Sequence, residues 1–322
     1  MNGTTLALGL FLQTAVQMGT HILLATLGGI ICEKIGNLNL GIEGMMLMGA
    51  SVGFATALGT GNPALAVVAA GAAGSIGALI YALITVTLRG NQVVTGLVLT
   101  IFGGGVSAYL GRGLSGKPLP EAVTAAFAPV SIPVLRDIPV LGPMLFEQSP
   151  YVYMSVAVAF AVWLYFRSTR QGLNARAVGE NPGAADASGV HVGLYKYLHI
   201  TAGGFLCGIG GAWLSLVFVP RWQEHITAGA GWIAIALVIF SGWHPLKAIL
   251  AAWSFGALRG LGFRFQNADL SLFGQSLHFS PQILDMIPYV ATILVLVITA
   301  RRKRIESRGP ASLGVPYFRE ER

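Results

Sequence analysis

Long apolar segments separated by short polar stretches fill most of this chain of 322 residues. A helix that crosses the hydrocarbon core of a bilayer needs about 20 mostly apolar residues. Only 10% of the residues are charged, whereas soluble domains have roughly 25%, so the chain lacks the polar surface of a soluble protein. We therefore predict an all-α, polytopic transmembrane bundle of about nine spans (range eight to ten), forming one domain over residues 1–322. The predicted spans are 6–31, 38–59, 63–88, 91–112, 151–167, 197–219, 229–242, 245–263 and 282–300, of which 229–242 is short and could be re-entrant.

The distribution of basic residues predicts the orientation. If the C-terminus is cytoplasmic, nine spans place the N-terminus outside, and the inner connections then carry fourteen of the 20 Lys and Arg residues. This excess follows the positive-inside tendency, which the reverse orientation would violate. Residues 113–150 are then an outer loop, in which seven prolines disfavour a long helix. Residues 168–196 form an inner loop, and residues 301–322 form a basic cytoplasmic tail.

Glycines at four-residue spacing predict where the helices meet. In lipid, helices associate through close backbone approach, so small residues mark their interfaces. Gly204 with Gly208, and Gly256 with Gly260, have this spacing. The pattern Gly103-x-Gly105-x-x-Ala108 imitates a dinucleotide-binding fingerprint, but it lies inside an apolar span and is therefore also interpreted as packing.

Polar side chains inside the predicted spans are the candidates for a translocation path. Asn39 and Glu43 are four residues apart, so on a helix they share a face. A carboxylate in a span is costly unless it is paired or hydrated. Glu43 therefore either lines a path or caps a neighbouring helix end, and the neutral residues either line a path for a polar solute or hydrogen-bond to other helices. The candidates are Gln13, Gln17, His21, Asn37, Asn39, Glu43, Asn91, Gln92 and Thr95.

Several function classes are disfavoured by what the sequence lacks. It has no motif for a catalytic nucleophile, and its two cysteines, Cys32 and Cys207, are too far apart to indicate a metal cluster. We therefore expect neither an enzyme nor a metal site. The net charge of +7 comes from residues beside the spans, which does not indicate nucleic-acid binding. No relay of ionisable residues crosses the spans, as proton-driven pumps usually need, so energy for transport is expected from elsewhere.

The inner loop contains the pattern of a short helix between Arg176 and Val190. Asn181 suits the N-cap, Pro182 the first helical position, and Gly189 the residue just past the end. A short helix with small side chains can dock into a groove of another protein, although it can equally be an ordinary interfacial helix. The candidate residues of this loop are Arg176, Gly179, Glu180, Asn181, Pro182, Ala184, Ala185, Asp186 and Gly189.

This loop resembles the coupling loop of ABC importer permeases, in which an acidic residue and two alanines precede a glycine. Four further segments resemble the permeases for simple sugars and nucleosides, a branch of the branched-chain amino acid/ribose permease family. They are NLNLGIEGMMLMGA (37–50), GAGWIAIALVIFSGW (229–243), PYVAT (288–292) and ASLGVPYF (311–318). The resemblance extends from about residue 15 to the C-terminus. The loop departs from the pattern at Asp186 and Ser188, where many permeases have a Glu-Ala-Ala order.

The resemblance implies a permease subunit of an ABC importer in a bacterial cytoplasmic (inner) membrane, which moves a nucleoside or simple sugar. Its partners would be ATPase subunits that bind ATP and Mg²⁺, a second permease of a different and longer chain, and an extracytoplasmic substrate-binding protein. This chain itself would bind no cofactor, and the loop residues named above would contact the ATPase. The alternative is a secondary transporter of a small neutral polar solute, against which the missing charge relay and the coupling loop argue.

Overall fold

The structure is a computed structural model that describes residues 3–266, 270–272, 275–277, 280, 283–284, 286–301 and 309–319. The helices in these ranges are α1 (Gly3–Glu33), α2 (Ile42–Thr60), α3 (Pro63–Ala82), α4 (Gln92–Gly111), α5 (Glu121–Ala126), α6 (Leu141–Phe146), α7 (Pro150–Ser168), α8 (Arg170–Glu180), α9 (Pro182–Ala187), α10 (Val192–Trp213), α11 (Ala230–Phe240), α12 (Pro245–Gln266) and α13 (Ile287–Arg301). Five-residue π-helical turns continue α3 (Leu83–Thr87) and α10 (Leu214–Phe218). The short strands β1 (Val130–Ser131) and β2 (Glu147–Gln148) pair antiparallel, as do β3 (Leu270–Leu272) and β4 (Gln275–Leu277).

Six helices in the described part of the chain are long and apolar enough to cross a membrane, judged by length and composition. They cover Thr5–Glu33, Ile42–Thr60, Pro63–Thr87, Gln92–Gly111, Pro150–Ser168 and Val192–Phe218. The expected helical, multi-span architecture is therefore present. The other three predicted spans fall on α11, α12 and α13, and α11 has only 11 residues, about half of a full crossing. The total of nine spans stays a prediction, and residues 282 and 285 of the last span lie outside the described residues.

Glycine-to-backbone contacts hold the centre of the bundle together. Gly204 and Gly208 of α10 face the backbone of α3 so closely that an added Cβ would overlap it, and Gly74 of α3 faces Gly204 in the same way. Gly256 of α12 meets the backbone of α1. The predicted packing role of these glycines is confirmed, whereas Gly260 faces the ring of Phe11 instead of a backbone.

The loops are more structured than the sequence indicated. The proline-rich segment 113–150 contains α5, α6 and the β1–β2 pair, and Pro143 packs 3.3 Å from the position that a Cβ on Gly9 of α1 would occupy. The segment 168–196 is not an open loop, because α8 and α9 occupy most of it and α10 already begins at Val192. Lys196 accordingly lies on α10 and is buried. Of the predicted tail, residues 302–308 and 320–322 lie outside the described residues.

The two ends of the bundle differ in what they carry. One end, here called the α9 end, brings together α8, α9, the turn after α1, the turn before α4 and residues 309–319. The opposite end, here called the α6 end, carries α5, α6 and the β1–β2 pair, and Trp222 packs there against Gly111 at the end of α4. All candidate coupling residues therefore lie at the α9 end.

Candidate functional site

Two helices begin inside the bundle and meet at one carboxylate. Glu43 lies in the first turn of α2, and its Oε1 accepts hydrogen bonds from the Thr227 hydroxyl at 2.6 Å and the Gly229 N–H at 2.9 Å. Its Oε2 accepts a hydrogen bond from the Gly231 N–H at 2.6 Å. A carboxylate near a helix N-terminus is favoured by the positive end of the helix dipole, and here it serves α2 and α11 at once. Glu43 is only 6% exposed, so its geometry is that of a helix cap.

The chain between α1 and α2 is non-helical, and side chains from other helices satisfy its backbone. Tyr81 donates to the Leu38 carbonyl at 2.6 Å, and the Leu38 N–H donates to Gln92 Oε1 at 2.7 Å. Thr100 donates to the Leu40 carbonyl at 3.0 Å. Non-helical backbone at membrane depth is tolerated only where protein or water satisfies it. Tyr81 and Thr100 are functional candidates that the sequence reasoning missed, because neither stands out in an apolar segment.

The remaining polar candidates near this segment mostly define helix ends. Asn39 Oδ1 accepts the Gly41 N–H at 2.8 Å, and Asn91 caps α4 through the Val94 N–H at 3.0 Å. Thr95 donates to the Asn91 carbonyl. The Asn37 amide and Gln92 Nε2 are buried with no hydrogen-bond partner among the described residues. These two amides are therefore polar side-chain groups beside the Leu38–Leu40 segment that can still accept or donate a hydrogen bond.

The stripe Gln13, Gln17 and His21 on α1 is divided among three environments. Gln13 donates to the Glu147 carbonyl at 2.7 Å and so ties α1 to β2. His21 is 2% exposed, and neither ring nitrogen has a partner within the described residues. Gln17 lines a cavity of about 340 Å³ at the α6 end. The three residues therefore do not form one continuous path in this structure.

The cavity beside Gln17 is walled mainly by aromatic and apolar side chains. Its lining includes Gln17, Thr124, Phe127, Trp213, Leu216 and Phe218. The Trp213 indole N–H donates to the Gln17 backbone carbonyl at 3.1 Å, so two of the lining residues are joined to each other. The volume lies in the range of roughly 300–1,000 Å³ that is typical of small-molecule sites. Aromatic walls with a few polar groups suit a neutral ring rather than a charged ligand.

The candidate docking helix α9 has the ends that its sequence predicted. Asn181 Oδ1 accepts the Ala184 N–H at 2.9 Å, Pro182 is the first helical residue, and the helix ends at Ala187. Gly189 has a φ of +85°, a left-handed conformation that side chains with a Cβ adopt at a cost. The local physics of capping therefore sets the length of α9.

The predicted coupling residues divide into an outward and an inward set. Asn181, Ala184, Ala187 and Ser188 are exposed along α9. Ala185, in contrast, is 4% exposed and packs into the protein's own core. Ala185 thus lies on the buried face of α9, and the ATPase-coupling role of the loop stays a prediction.

Residues preceding α9 join it to the start of the bundle. Gly179 packs so tightly on the Lys34 carbonyl that a Cβ would overlap it, whereas Arg176 and Glu180 are exposed. The Lys34 ammonium lies 5.9 Å from the centre of the Phe166 ring. Burial lowers the pKa of Lys34, and the nearby positive charge of Arg176 lowers that pKa further. Gly179 thus fixes the end of α8 against the turn after α1.

Comparison with known proteins identifies the family. The family model described as branched-chain amino acid transport system / permease component matches residues 11–296. A Haloferax volcanii protein named as a candidate glucose ABC transporter permease, TsgC13, is 36% identical, over 96% of this chain and 97% of its own. The guanosine ABC transporter permease NupQ of Bacillus subtilis is 31% identical, over 98% of each chain. The nucleoside ABC transporter permease NupC of Lactococcus lactis is 29% identical, over 94% of each.

A solved structure shares the fold at low sequence identity. It is a candidate metal-chelate type ABC transporter in an inward-facing conformation, with a TM-score of 0.51 and 12% identity, and the match covers 91% of this chain and 85% of that one. At this identity the likeness concerns the fold alone. The family model matches most of the chain, and the relatives named above are permease subunits rather than enzymes. This chain therefore belongs to the permease family of the branched-chain amino acid transport systems, as a membrane-embedded ABC transporter permease.

Proposed function

We propose that this chain is a permease subunit of an importer that moves a nucleoside or simple sugar inward across the cytoplasmic membrane. The single observation that carries the proposal is α9, which is a capped helix with an exposed row of small side chains. Such a surface suits insertion into a groove of an ATPase subunit. ATP and Mg²⁺ would be bound by that partner, and this chain would bind no cofactor.

The proposed orientation places the α9 end in the cytoplasm and the α6 end outside. The basic excess of the connections at the α9 end supports it. An extracytoplasmic binding protein would then deliver substrate to the α6 end, where the cavity beside Gln17 opens. A second permease, of a different and longer chain, would complete the path. Residues 1–322 would form one permease domain with nine spans.

The proposed substrate class rests on the relatives and on the cavity. The names of the relatives refer to guanosine, nucleosides and glucose. A nucleoside or sugar is neutral, and it presents both a flat or apolar face and hydroxyl groups. The aromatic wall of the cavity and the Gln17 amide match those two features.

Reconstitution tests the proposal. The chain is co-expressed with candidate partner permease, ATPase and binding-protein chains from the same organism, purified, and placed in liposomes with ATP inside or outside. We expect uptake of labelled guanosine or glucose that requires ATP on the side of the α9 end. This uptake should stop when the ATPase carries a mutation that prevents ATP hydrolysis. Uptake driven by an ion gradient without ATP would instead establish the secondary transporter. Thermal shifts of the binding protein with nucleosides and sugars identify the substrate independently.

A further inference from the structure

The segment Gly309–Arg319 is built into the surface around α9. The Ser312 N–H and hydroxyl both donate to the Gly179 carbonyl, at 3.0 and 2.5 Å. The Gly314 N–H donates to the Gly36 carbonyl at 3.1 Å, and Ser312 is only 8% exposed. The segment therefore lies across the end of α8 and the turn after α1, where it is held by backbone hydrogen bonds.

The same segment binds the acidic residue of α9. Tyr317 donates to Asp186 Oδ2 at 2.9 Å, and Arg319 Nε lies 3.2 Å from the same oxygen. The Asp186 side chain is 12% exposed, whereas that of Arg319 is 73% exposed. Asp186 was a candidate for direct contact with the ATPase, but its carboxylate points into its own chain. Hydrogen bonds to an ionised group are stronger than neutral ones, so this contact anchors α9.

A third contact connects the segment to the start of α4. The Arg89 guanidinium lies 4.9 Å from the centre of the Phe318 ring, a distance at which a cation is attracted to an aromatic face. Arg89 precedes α4 by three residues. The segment thus joins α9 to the turns that lead into α2 and α4, the two helices that flank the non-helical chain at Leu38–Leu40.

We propose that Gly309–Arg319 is the second half of the ATPase docking surface, with Tyr317 and Arg319 as positioning residues for α9. This inference rests on the proposed function. The six residues of α9 are too few to hold a helix alone, so its orientation depends on Ala185 in the core and on Asp186 held by the segment. The occupant is the same ATPase subunit that receives α9.

The exposed side chains and the charges of the segment Gly309–Arg319 and its surroundings support the ATPase subunit as the occupant. Val315 is 56% exposed, and it lies two residues before Tyr317, which binds Asp186 of α9. Among the described residues at the α9 end, the exposed side chains include Arg89 beside Phe318, Arg319 beside Asp186, and Arg176 on α8, against the exposed acid Glu180 beside Ala311. We therefore expect an apolar groove rimmed by acidic side chains on the ATPase.

The experiment measures retention of the ATPase by the purified permease, together with uptake and membrane level. The test variants are Val315→Asp, which alters the exposed surface, and Arg319→Ala, which removes one of the two groups that hold Asp186. The matched control is Val134→Asp, since Val134 is 81% exposed at the α6 end. We expect each test variant to lower ATPase retention roughly tenfold, a typical effect at an interface hot spot, at a normal membrane level, whereas the control should retain the ATPase as the wild type does.

Exchanging the charges of Asp186 and Arg319 tests whether their ion pair positions α9 or whether the single variants simply fail to fold. Asp186→Arg should impair retention, and combining it with Arg319→Asp should restore much of it, because the ion pair is re-formed with reversed polarity. Wild-type retention and uptake for both Val315→Asp and Arg319→Ala would overturn the inference. If Ala184→Arg abolishes retention in that case, the role of α9 stands and only the role of the segment falls. If the wild-type chain retains no ATPase at all, the proposed function itself falls.

Discussion

The Oε2 atom of Glu43 accepts a 2.6 Å hydrogen bond from the backbone N–H of Gly231, a residue 188 positions further along the chain. This bond, with those from Thr227 and Gly229, joins the N-termini of α2 and α11 inside the bundle. Any movement that separates the two helices must break them. The junction is therefore a place where transport and stability are expected to depend on one side chain.

Replacing Glu43 with Gln should destabilise the protein and reduce uptake. The amide keeps the shape, but its NH₂ group cannot accept a hydrogen bond, so at least one buried N–H or hydroxyl loses its partner at a cost of about 1–3 kcal/mol. Thermal melting in detergent and uptake in cells measure the two effects. Glu121→Gln is the control, because Glu121 is exposed at the start of α5. Wild-type melting and uptake for Glu43→Gln would show that the junction is not required.

Two glycines on α4 should respond oppositely to the same substitution. A Cβ at Gly103 would overlap the backbone of Gly44 on α2, whereas a Cβ at Gly105 would have no atom of the described residues within 4 Å. Gly103→Ala should therefore destabilise the bundle by about 1–3 kcal/mol, as overpacking does. Gly105→Ala should be neutral or slightly stabilising, because alanine favours helices. Comparable melting temperatures for the two variants would contradict the packing described for α2 and α4.

Substituting Gly189, which follows the end of α9, should reduce coupling to the ATPase without preventing folding. Gly189 has a φ of +85°, and no atom in the described part of the chain lies within 4 Å of the position that its Cβ would take, so we expect Gly189→Val to cost mainly backbone strain, about 1–3 kcal/mol. We expect a normal membrane level with sharply reduced uptake. Gly193→Val is the control, since Gly193 is helical and has equally open surroundings.

Ala184→Arg, on the exposed face, should block docking, whereas Ala185→Arg should impair folding instead.

The Gln17 amide should contribute to substrate affinity. Gln17→Leu removes the amide of a residue that lines the cavity but keeps the side chain's volume, so the KM for uptake should rise roughly two- to tenfold, as for a lost neutral hydrogen bond of about 0.5–1.5 kcal/mol. Gln13→Leu breaks the bond to the Glu147 carbonyl and should lower the melting temperature without changing KM. An unchanged KM for Gln17→Leu would remove the cavity from the path.

Single cysteines test the orientation. Ser115, Ser188 and Ala311 are exposed, whereas the native Cys32 and Cys207 are buried and can be replaced by Ala. In intact cells, an impermeant thiol reagent should label Ser115→Cys and spare Ser188→Cys and Ala311→Cys. Opening the cells should make all three reactive. Labelling of Ser188→Cys before the cells are opened would reverse the proposed topology.

Features that depend on neighbours in the sequence could be predicted from the residues alone. The apolar segments predicted the long helices, since a helix satisfies its own backbone hydrogen bonds within four residues. The ends of α9 followed from Asn181, Pro182 and Gly189 for the same reason. The glycine pairs on α10 predicted a close contact, although they did not identify α3 as its partner.

The sequence by itself determined that this chain is a helical membrane permease with a short capped helix between two spans. It also restricted the role of Glu43 to two alternatives, path or cap, without choosing between them. Only the tertiary structure showed that Thr227, Gly229 and Gly231 surround that carboxylate, and that Tyr317 reaches Asp186 from 131 residues away. The physical reason is that helix formation and capping are local, whereas a buried charge is satisfied by whichever donors the packing of distant helices brings within hydrogen-bonding distance.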